Sequence, residues 1–273
     1  MLYWTLYNTH VPKTEGKRKL YDNNIYTFDI ETTSFFELYG KIYESREYEK
    51  LTKKEQEQCE FYSNMYIWQF GINDEVYYGR TWNDLCLFLT RLNCNIRDKK
   101  YVFVHNFSYE FQFLRNIFKF ENVFARKKRK VIRAELPLFN IEFRCTLFMS
   151  NCSLDKLGKV FNLNLKKKTG DLKYNILRNS KTILSDIELG YCEYDCLCVY
   201  EYIKKLLDKY KTIKNIPLTS TGFVRNEFKK IISKNYKYKN KTRKAINVSG
   251  HVYNLMLGAF AGRIYTCELD LCR

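Results

Sequence analysis

Three groups of acidic and polar residues, about eighty residues apart in this 273-residue chain, have the types and spacing to do chemistry. The first is Asp29-Ile30-Glu31, at the end of an alternating apolar segment. If that segment is a strand, both carboxylates lie on one face about one pleat repeat apart, where they repel each other unless a cation lies between them. Such a pair suits Mg²⁺ or Mn²⁺, and a solvated strand end is the alternative.

The second group is the segment from His105 to Phe113, which reads HNFSYEFQF. Glu110 falls in the first turn of a predicted helix, where the helix dipole favours a carboxylate, so a structural role is the alternative to a chemical one. Asn106 and Tyr109 form a polar and aromatic surface suited to a base or a sugar. The segment therefore combines a carboxylate that could do chemistry with candidate nucleic-acid contacts.

The third group is Tyr191-Cys192-Glu193-Tyr194-Asp195, inside a predicted long helix. The i, i+4 spacing puts Tyr191 and Asp195 on one face of that helix, one turn apart. Alone, this pattern is also typical of ordinary helix packing. In order along the chain, the three groups have a spacing that suits one compact domain.

Basic charge and aromatic side chains dominate the composition. The chain has 47 Lys and Arg against 30 Asp and Glu, a formal charge of +17, and 17% of its residues are Phe, Trp or Tyr. Nucleic acid or an anionic membrane surface would match the charge, and single-stranded nucleic acid would also use the rings; joint enrichment of Lys, Asn, Ile and Tyr is the alternative. The sequence has no secretory signal and no apolar run of about 18 residues, so we expect a soluble intracellular protein without a membrane partner.

Hydrophobic patterning predicts an α/β layer fold that positions the three groups. Strands are predicted at 24–30, 65–73, 75–79 and 101–104, with Asn73-Asp74 as a hairpin turn between the middle two. Helices are predicted at 81–92, 108–118, 153–161 and 185–211, and Thr81 and Ser185 are the predicted N-caps. Ten cysteines form no C-x-x-C pair, so we expect reduced thiols that are mostly buried.

Two segments are predicted to lie outside this core. Residues 36–62 are charged and are predicted to form a solvated helical insertion. Residues 125–136 and 139–150 are predicted to pair as a β-ribbon, whose basic rim Arg126–Lys130 either follows a nucleic-acid backbone or is a solvated edge. From about residue 213 the chain becomes basic and sparse in apolar residues, and we place a domain boundary there.

Together the three groups resemble the exonuclease motifs of DnaQ-like 3′–5′ exonucleases, and their details resemble the protein-primed family B DNA polymerases of phages and linear plasmids. In that family the first motif reads D-x-E-T-T, as at Asp29–Thr33, and the second H-N-x-x-[FY]-[DE]-x-x-F, as at His105–Phe113. Ser153-Leu154 resembles the family's Ser-Leu motif that holds single-stranded DNA. Lys168–Asp171 resembles its lysine-bearing segment, and Ala259–Arg263 its aromatic-x-Gly-Gly linking motif.

The resemblance implies a ribonuclease-H-like mixed sheet flanked by helices, with a β-ribbon insertion and a C-terminal connecting segment. Residues 1–212 would form the 3′–5′ exonuclease domain, and residues 213–273 a basic connector towards a polymerase palm domain. Two Mg²⁺ (or Mn²⁺) ions are implied, held by Asp29, Glu31, Glu110 and Asp195, with Tyr191 as a further catalytic residue. The residues implied to bind single-stranded DNA, the primer 3′ end, are Thr32, His105, Asn106, Tyr109, Phe113, Ser153, Leu154, Lys168, Phe260, Gly262 and Arg263.

Two positions depart from the family pattern. Glu110 stands where most relatives carry Asp, and Arg263 stands where the linking motif has its second glycine. The palm signatures D-x-x-S-L-Y-P, K-x-x-x-N-S-x-Y-G and D-T-D are not in the sequence, so we expect that the chain as given does not extend a primer and is a fragment of a split or interrupted gene.

The function implied is proofreading within a protein-primed DNA polymerase that replicates viral or plasmid DNA. The implied location is the cytoplasm of the host cell, and the implied partners are a terminal protein and a separate polymerase half. A non-catalytic single-stranded nucleic-acid-binding module is the main alternative. An unrelated basic interaction protein is a third hypothesis, which leaves the order of the three motifs unexplained.

Overall fold

The computed structural model of the chain describes residues 1–7, 21–165 and 176–234. Its central feature is one mixed sheet. The strands in these residues are β1 (Leu2–Tyr3), β2 (Tyr26–Leu38), β3 (Lys41–Tyr43), β4 (Glu60–Ile72), β5 (Glu75–Gly79), β6 (Lys100–Val104), β7 (Glu121–Ala125), β8 (Val131–Leu136) and β9 (Ile141–Cys145). The order across the sheet is β1-β5-β4-β2-β6-β9-β8-β7, and β3 pairs with β2. β1 with β5, β2 with β6 and β6 with β9 are parallel pairs, and the others are antiparallel.

Helices join and flank these strands, which confirms the predicted α/β class. They are α1 (Ser45–Tyr48), α2 (Lys53–Gln58), α3 (Trp82–Asn95), α4 (Glu110–Leu114), α5 (Thr146–Ser150), α6 (Leu154–Val160) and α7 (Asp186–Tyr210). One more helix, α8 (Ser220–Lys234), follows them in the chain. No helix in the described ranges is long and apolar enough to cross a bilayer.

The two faces of the sheet differ in chemistry because side chains alternate along each strand. Phe28, Ile30, Trp68 and Phe70 enter an apolar core that includes residues of α3, where Trp68 and Phe88 bring their rings to 5.5 Å. We call the opposite side of the sheet, which packs against α7, the α7 face. By the same alternation, Asp29 and Glu31 of β2 lie on the α7 face.

Close packing on the α7 face depends on a glycine in β4. A Cβ atom at Gly71 would lie 2.2 Å from the Thr27 Oγ1 atom and 3.9 Å from the Cys196 Cβ atom. Only a residue without a side chain leaves room for Thr27 while Cys196 of α7 packs above it.

The predicted N-caps of α3 and α7 are confirmed. Thr81 accepts a hydrogen bond from the Asp84 backbone N–H at the start of α3, and Ser185 accepts one from the Glu188 N–H at the start of α7. In both cases the acidic side chain bonds back to the cap residue, which completes a capping box. The predicted hairpin at Asn73-Asp74 is also confirmed, since β4 and β5 pair across it.

The helical insertion predicted at 36–62 is largely wrong. β2 and β4 continue past the core as a paired extension, and only the short helices α1 and α2 are helical. We call residues 32–65 the arm. Aromatic contacts stabilise it, because Phe35 stacks on Tyr62 of the paired strand at 5.4 Å and Phe36 stacks on Tyr48 of α1 at 3.7 Å.

A β-bulge separates the arm from the core. β4 pairs Ile67 with Glu31 and Met65 with Thr32, so Tyr66 is an extra residue on β4. Tyr66 and Ile67 pack together with Tyr191 of α7. The bulge therefore keeps both side chains on the α7 face.

The predicted ribbon is wrong in its second half. β8 and β9 are antiparallel, but β9 lies inside the sheet beside β6, and residues 146–150 form α5. β9 carries the charged residues Glu142 and Arg144, yet both are buried and pair at 2.8 Å. The basic rim Arg126–Lys130 is the exposed turn between β7 and β8.

Two other predictions differ in extent. The helix predicted at 108–118 is limited to α4, because turns occupy the residues on either side of it. Of the cysteines in the described ranges, Cys145, Cys192, Cys196 and Cys198 are buried and none is in a disulfide.

The chain divides into two compact units, residues 1–220 and residues 221–273. Ile213 and Ile216 are buried in the first unit, and Arg144 donates a hydrogen bond to the Ile213 carbonyl. The first unit therefore extends past the predicted boundary at residue 212. Of the second unit the structure describes residues 221–234.

Candidate metal centre

Asp29, Glu31 and Asp195 come together between β2 and α7. Each offers a carboxylate oxygen, and these oxygens all lie within 4.8 Å of one another. Glu31 and Asp195 expose 9% and 6% of their surface, and Asp29 is half-buried. β2 supplies two carboxylates through its period of two, and α7 supplies the third where it packs on the same face. Among the described residues this is the one group of three or more such side chains.

The surroundings of this triad favour a bound cation. Burial raises the pKa of the Cys192 thiol, and the charges of Glu31, Asp29 and Asp195 raise it further. Burial also raises the pKa of the Cys196 thiol, and the charge of Asp29 raises it further. Carboxylates this close in a poorly solvated site repel each other strongly unless a cation neutralises them. An all-oxygen donor set fits the hard ions Mg²⁺ and Mn²⁺, so the residues present fit the predicted metal.

Glu110 is buried next to this triad but is not part of it. It is the first residue of α4 and exposes 3% of its surface, and its Oε2 atom has no hydrogen-bond partner. Burial raises its pKa well above the usual range, and the nearby charge of Glu31 adds to the effect. The structure thus brings three of the four predicted ligands together, and the fourth remains a prediction.

Tyr191 lies on α7 one turn before Asp195, as predicted. Its ring is buried and packs with Tyr66 and Ile67 of β4. The packing fixes where the side chain sits relative to the triad. Its predicted role in catalysis remains a prediction.

Two predicted DNA contacts meet at the base of the arm. The hydroxyl groups of Thr32 and Tyr109 form a short hydrogen bond. Tyr109 exposes 43% of its surface, and its ring lies 5.4 Å from that of Phe113. This combination of hydroxyl and ring surface next to Glu31 is open to a ligand.

His105 and Asn106 form the turn that leads from β6 to Tyr109. The His105 Nδ1 atom lies 3.0 Å from the Thr146 hydroxyl of α5, so the ring is anchored to the neighbouring helix. Asn106 adopts a left-handed conformation with φ of 61°, which asparagine tolerates better than most residues. Both residues therefore have a local structural role beside their predicted one.

The remaining predicted contacts lie at the start of α6 or outside the described residues. Ser153 is exposed at the start of α6, where its side chain makes no capping bond, and Leu154 is half-buried beside it. The predicted residues outside the described ranges are Lys168, Phe260, Gly262 and Arg263.

Two buried polar residues near the site are not among the residues that the sequence predicts to be functional. Arg178 exposes 4% of its surface, and its guanidinium lies 2.5 Å from the Glu188 carboxylate while its backbone N–H donates to Thr33. Arg178 therefore fixes the segment before α7 to β2. No local sequence pattern predicts that Arg178 is buried. Gln69 is fully buried in β4. The sequence feature that could have identified it is a polar residue within the apolar run WQFGI.

No protein-family model matches the chain, and no curated protein matches it significantly. Solved structures do. The chain resembles Phi29 DNA polymerase complexed with primer-template DNA and incoming nucleotide substrates, with a TM-score of 0.55 and 14% identity over 77% of this chain. It also resembles the post-translocation binary complex of Phi29 DNA polymerase with primer-template DNA (TM-score 0.53) and its orthorhombic crystal form (TM-score 0.52), each at 15% identity over 77% of this chain.

The likeness concerns the fold. This chain covers 35% of the length of each of those polymerase chains. The described sheet and helices therefore share the fold of the part of the polymerase that they match.

Proposed function

We propose that this chain carries a metal-dependent 3′–5′ exonuclease site, on a ribonuclease-H-like fold, that removes nucleotides from the 3′ end of DNA. The observation that carries the proposal is the meeting of Asp29, Glu31 and Asp195 within 4.8 Å at the junction of β2 and α7. The order of the motifs and the likeness to a DNA polymerase fold support it.

In this proposal Asp29, Glu31 and Asp195, together with Glu110, hold two Mg²⁺ or Mn²⁺ ions. Bound divalent ions would activate water as a nucleophile and neutralise charge on the transferring phosphate. The hydroxyl of Tyr191 and the carboxylate of Glu31 orient the attacking water.

The 3′ end of the DNA is held beside the triad by hydroxyl groups and rings. Thr32 and Tyr109 contact sugar and phosphate, and Phe113 supports the Tyr109 ring from behind. The exposed ring of Tyr109 and its hydrogen bond to Thr32 support this placement. The further contacts proposed are His105, Asn106, Ser153, Leu154 and Lys168 near the scissile end, and Phe260, Gly262 and Arg263 on the connecting segment.

The wider role proposed is proofreading within a protein-primed DNA polymerase that replicates viral or plasmid DNA. A terminal protein and a polymerase half that bears the palm are the proposed partners, and the cytoplasm of the host cell is the proposed location. Primer extension belongs to that other half in this proposal. The Phi29 polymerase likeness, over 35% of that chain, supports this context.

A second candidate function is a single-stranded DNA-binding module without turnover, either a remnant or a subunit of a split polymerase. The position of Glu110 outside the triad favours it. A Glu110→Asp variant separates the two candidates. Creation of nuclease activity by this variant indicates that ligand length was the defect.

The experiment that tests the proposal is a nuclease assay with 5′-labelled single-stranded DNA and Mg²⁺ or Mn²⁺. We expect a ladder that shortens from the 3′ end. Asp29→Ala should lower the rate by about 1,000-fold or more, because a lost metal ligand removes on the order of 4 kcal/mol of transition-state stabilisation. Single-strand binding, measured by fluorescence anisotropy, should persist in the variant.

The matched control is Glu37→Ala, which removes a carboxylate from the arm portion of the same strand. Its nuclease rate should equal that of the unmodified chain. DNA binding without shortening in either metal contradicts the exonuclease proposal and favours the second candidate. Loss of binding and cleavage together in Asp29→Ala contradicts the assigned roles.

A further inference from the structure

The side-chain amide of Gln69 is buried and makes no hydrogen bond with any residue that the structure describes. Its exposed fraction is 0%, and neither its Nε2 nor its Oε1 atom has a partner. Its chain neighbours Trp68 and Phe70 enter the apolar core on the other face of the sheet. Gln69 therefore faces α7. An apolar side chain at this position would avoid the cost of burying an amide without a hydrogen bond.

The register of the sheet puts this amide beside the metal centre. Gln69 is the direct cross-strand partner of Asp29. Directly opposed residues in an antiparallel pair share a face, with their Cβ atoms about 4.5–5.5 Å apart. A glutamine side chain spans such a gap, so its amide has the reach to contact the Asp29 carboxylate.

Water has little access to the Gln69 amide as a hydrogen-bond partner. α7 covers this part of the face with Cys192 and Cys196, both of which are buried. Thr27, the residue on β2 that precedes Asp29 by one pleat repeat, is also buried. A buried amide without a partner lowers stability, so a contact made in the working site would offset the loss.

We propose that Gln69 is a positioning residue for the metal centre, whose amide N–H donates to the Asp29 carboxylate and fixes the oxygen that faces the divalent ion. Carboxylates that bind metals are commonly held by such outer hydrogen bonds, and loss of one typically weakens metal binding about 10–100-fold. The inference rests on the proposed metal site.

The test is a Mn²⁺ titration followed by the thermal unfolding temperature, which reports metal binding without a nuclease assay. In Gln69→Met, a nearly isosteric change, the unfolding temperature without metal should equal or exceed that of the unmodified chain. The Mn²⁺ concentration that gives half of the metal-induced rise should increase about tenfold or more. Gln69→Asn, which keeps an amide but shortens its reach, should show the same weakening.

The matched control is Gln56→Met in the arm. The Gln56 Nε2 atom donates to the Tyr48 and Leu51 carbonyls at 3.0 and 3.1 Å. This variant should lose thermal stability and keep its Mn²⁺ response, which is the opposite pattern.

Three results would overturn the inference. An unchanged Mn²⁺ midpoint in both Gln69 variants makes Gln69 a packing residue and leaves the proposed metal site intact. A lower unfolding temperature in Gln69→Met with an unchanged midpoint has the same meaning. Absence of any Mn²⁺ response in the unmodified chain overturns the metal site itself, and this inference with it.

Discussion

The two halves of β2 place carboxylates side by side in opposite environments. In the inner half, Asp29 and Glu31 lie beneath α7 and close to Asp195. In the arm, Glu37 is the direct cross-strand partner of Glu60, and solvent reaches both. Water screens the outer pair, so its like charges cost little, whereas the inner group lacks that screening. Burial, more than the number of acidic residues, is what makes the inner group a candidate metal site.

The comparison is tested most strongly by adding one methyl group in each region. Gly71→Ala places a Cβ atom 2.2 Å from the Thr27 hydroxyl under α7. We expect a loss of about 2–3 kcal/mol in the free energy of unfolding, or about 5–10 °C in the unfolding temperature. In Gly40→Ala, at the tip of the arm, the new Cβ atom meets no atom within 4 Å, so the only cost is that alanine must adopt a φ of 79°. It should cost about 1 kcal/mol, or about 2–4 °C, by calorimetry.

A double variant locates the cause of the larger effect. Thr27→Ala combined with Gly71→Ala removes the hydroxyl that the new methyl group meets, so much of the lost stability should return. Equal losses for Gly71→Ala and Gly40→Ala would show that α7 is not closely packed on the inner half of β2.

A buried lysine beside the inner half gives a pH signature of intermediate size. Lys100 of β6 is fully buried, and its ammonium group donates to the Ile96 carbonyl at 2.7 Å. Burial lowers its pKa to about 8. Between pH 8 and its ordinary pKa of about 10.4, the unfolded chain holds more protons than the folded one, so stability rises with pH.

The measurement is the urea unfolding midpoint of the unmodified chain and of Lys100→Met at pH 7, 8, 9 and 10. The free energy of unfolding of the unmodified chain should gain about 2 kcal/mol on that of the variant between pH 8 and pH 10. Lys41→Met removes an exposed lysine from the arm as a control. A difference between Lys100→Met and the unmodified chain that is constant with pH would contradict the buried ammonium.

The smallest effect is expected from removal of the arm. Residues 36–61 can be replaced by Asn-Gly, since Phe35 and Tyr62 are direct partners and a two-residue turn fits between paired strands. The Mn²⁺ midpoint in the thermal assay should change by less than about twofold, because distant sites act independently.

One contact of the arm needs its own control in that experiment. The Leu177 N–H donates to the Glu44 carboxylate at 3.3 Å, which ties the arm to the segment before α7. Glu44→Ala tests that contact alone. A large loss of Mn²⁺ response without the arm, but not in Glu44→Ala, would show that the arm shapes the metal centre directly.

Sequence reasoning predicted the parts of the molecule that local chemistry determines. The caps at Thr81 and Ser185 and the turn at Asn73-Asp74 depend on neighbouring residues, and each is confirmed. The shared face of Asp29 and Glu31 follows from strand geometry alone. Their meeting with Asp195 was suggested by family resemblance, because no local rule joins residues so far apart.

The features that were missed depend on partners far away in sequence. β9 lies inside the sheet although it carries Glu142 and Arg144, because these charges pair with each other, with Lys99 and with the Ile213 carbonyl, none of which a local pattern predicts. The sequence of the arm predicts a helix because its charged tip hides the alternation of the paired strands. The location of Gln69 opposite Asp29 depends on the register of β2 and β4, which the sequence of β4 alone does not determine.

The bulge at Tyr66 has a consequence for insertions and deletions. In a regular strand, adding or removing one residue reverses the facing of every side chain beyond that point. Because the extra residue at Tyr66 is left out of the ladder, a change of length within the arm can be absorbed there before it reaches Glu31. We therefore expect that the arm can lose or gain an odd or an even number of residues while Asp29 and Glu31 continue to face α7.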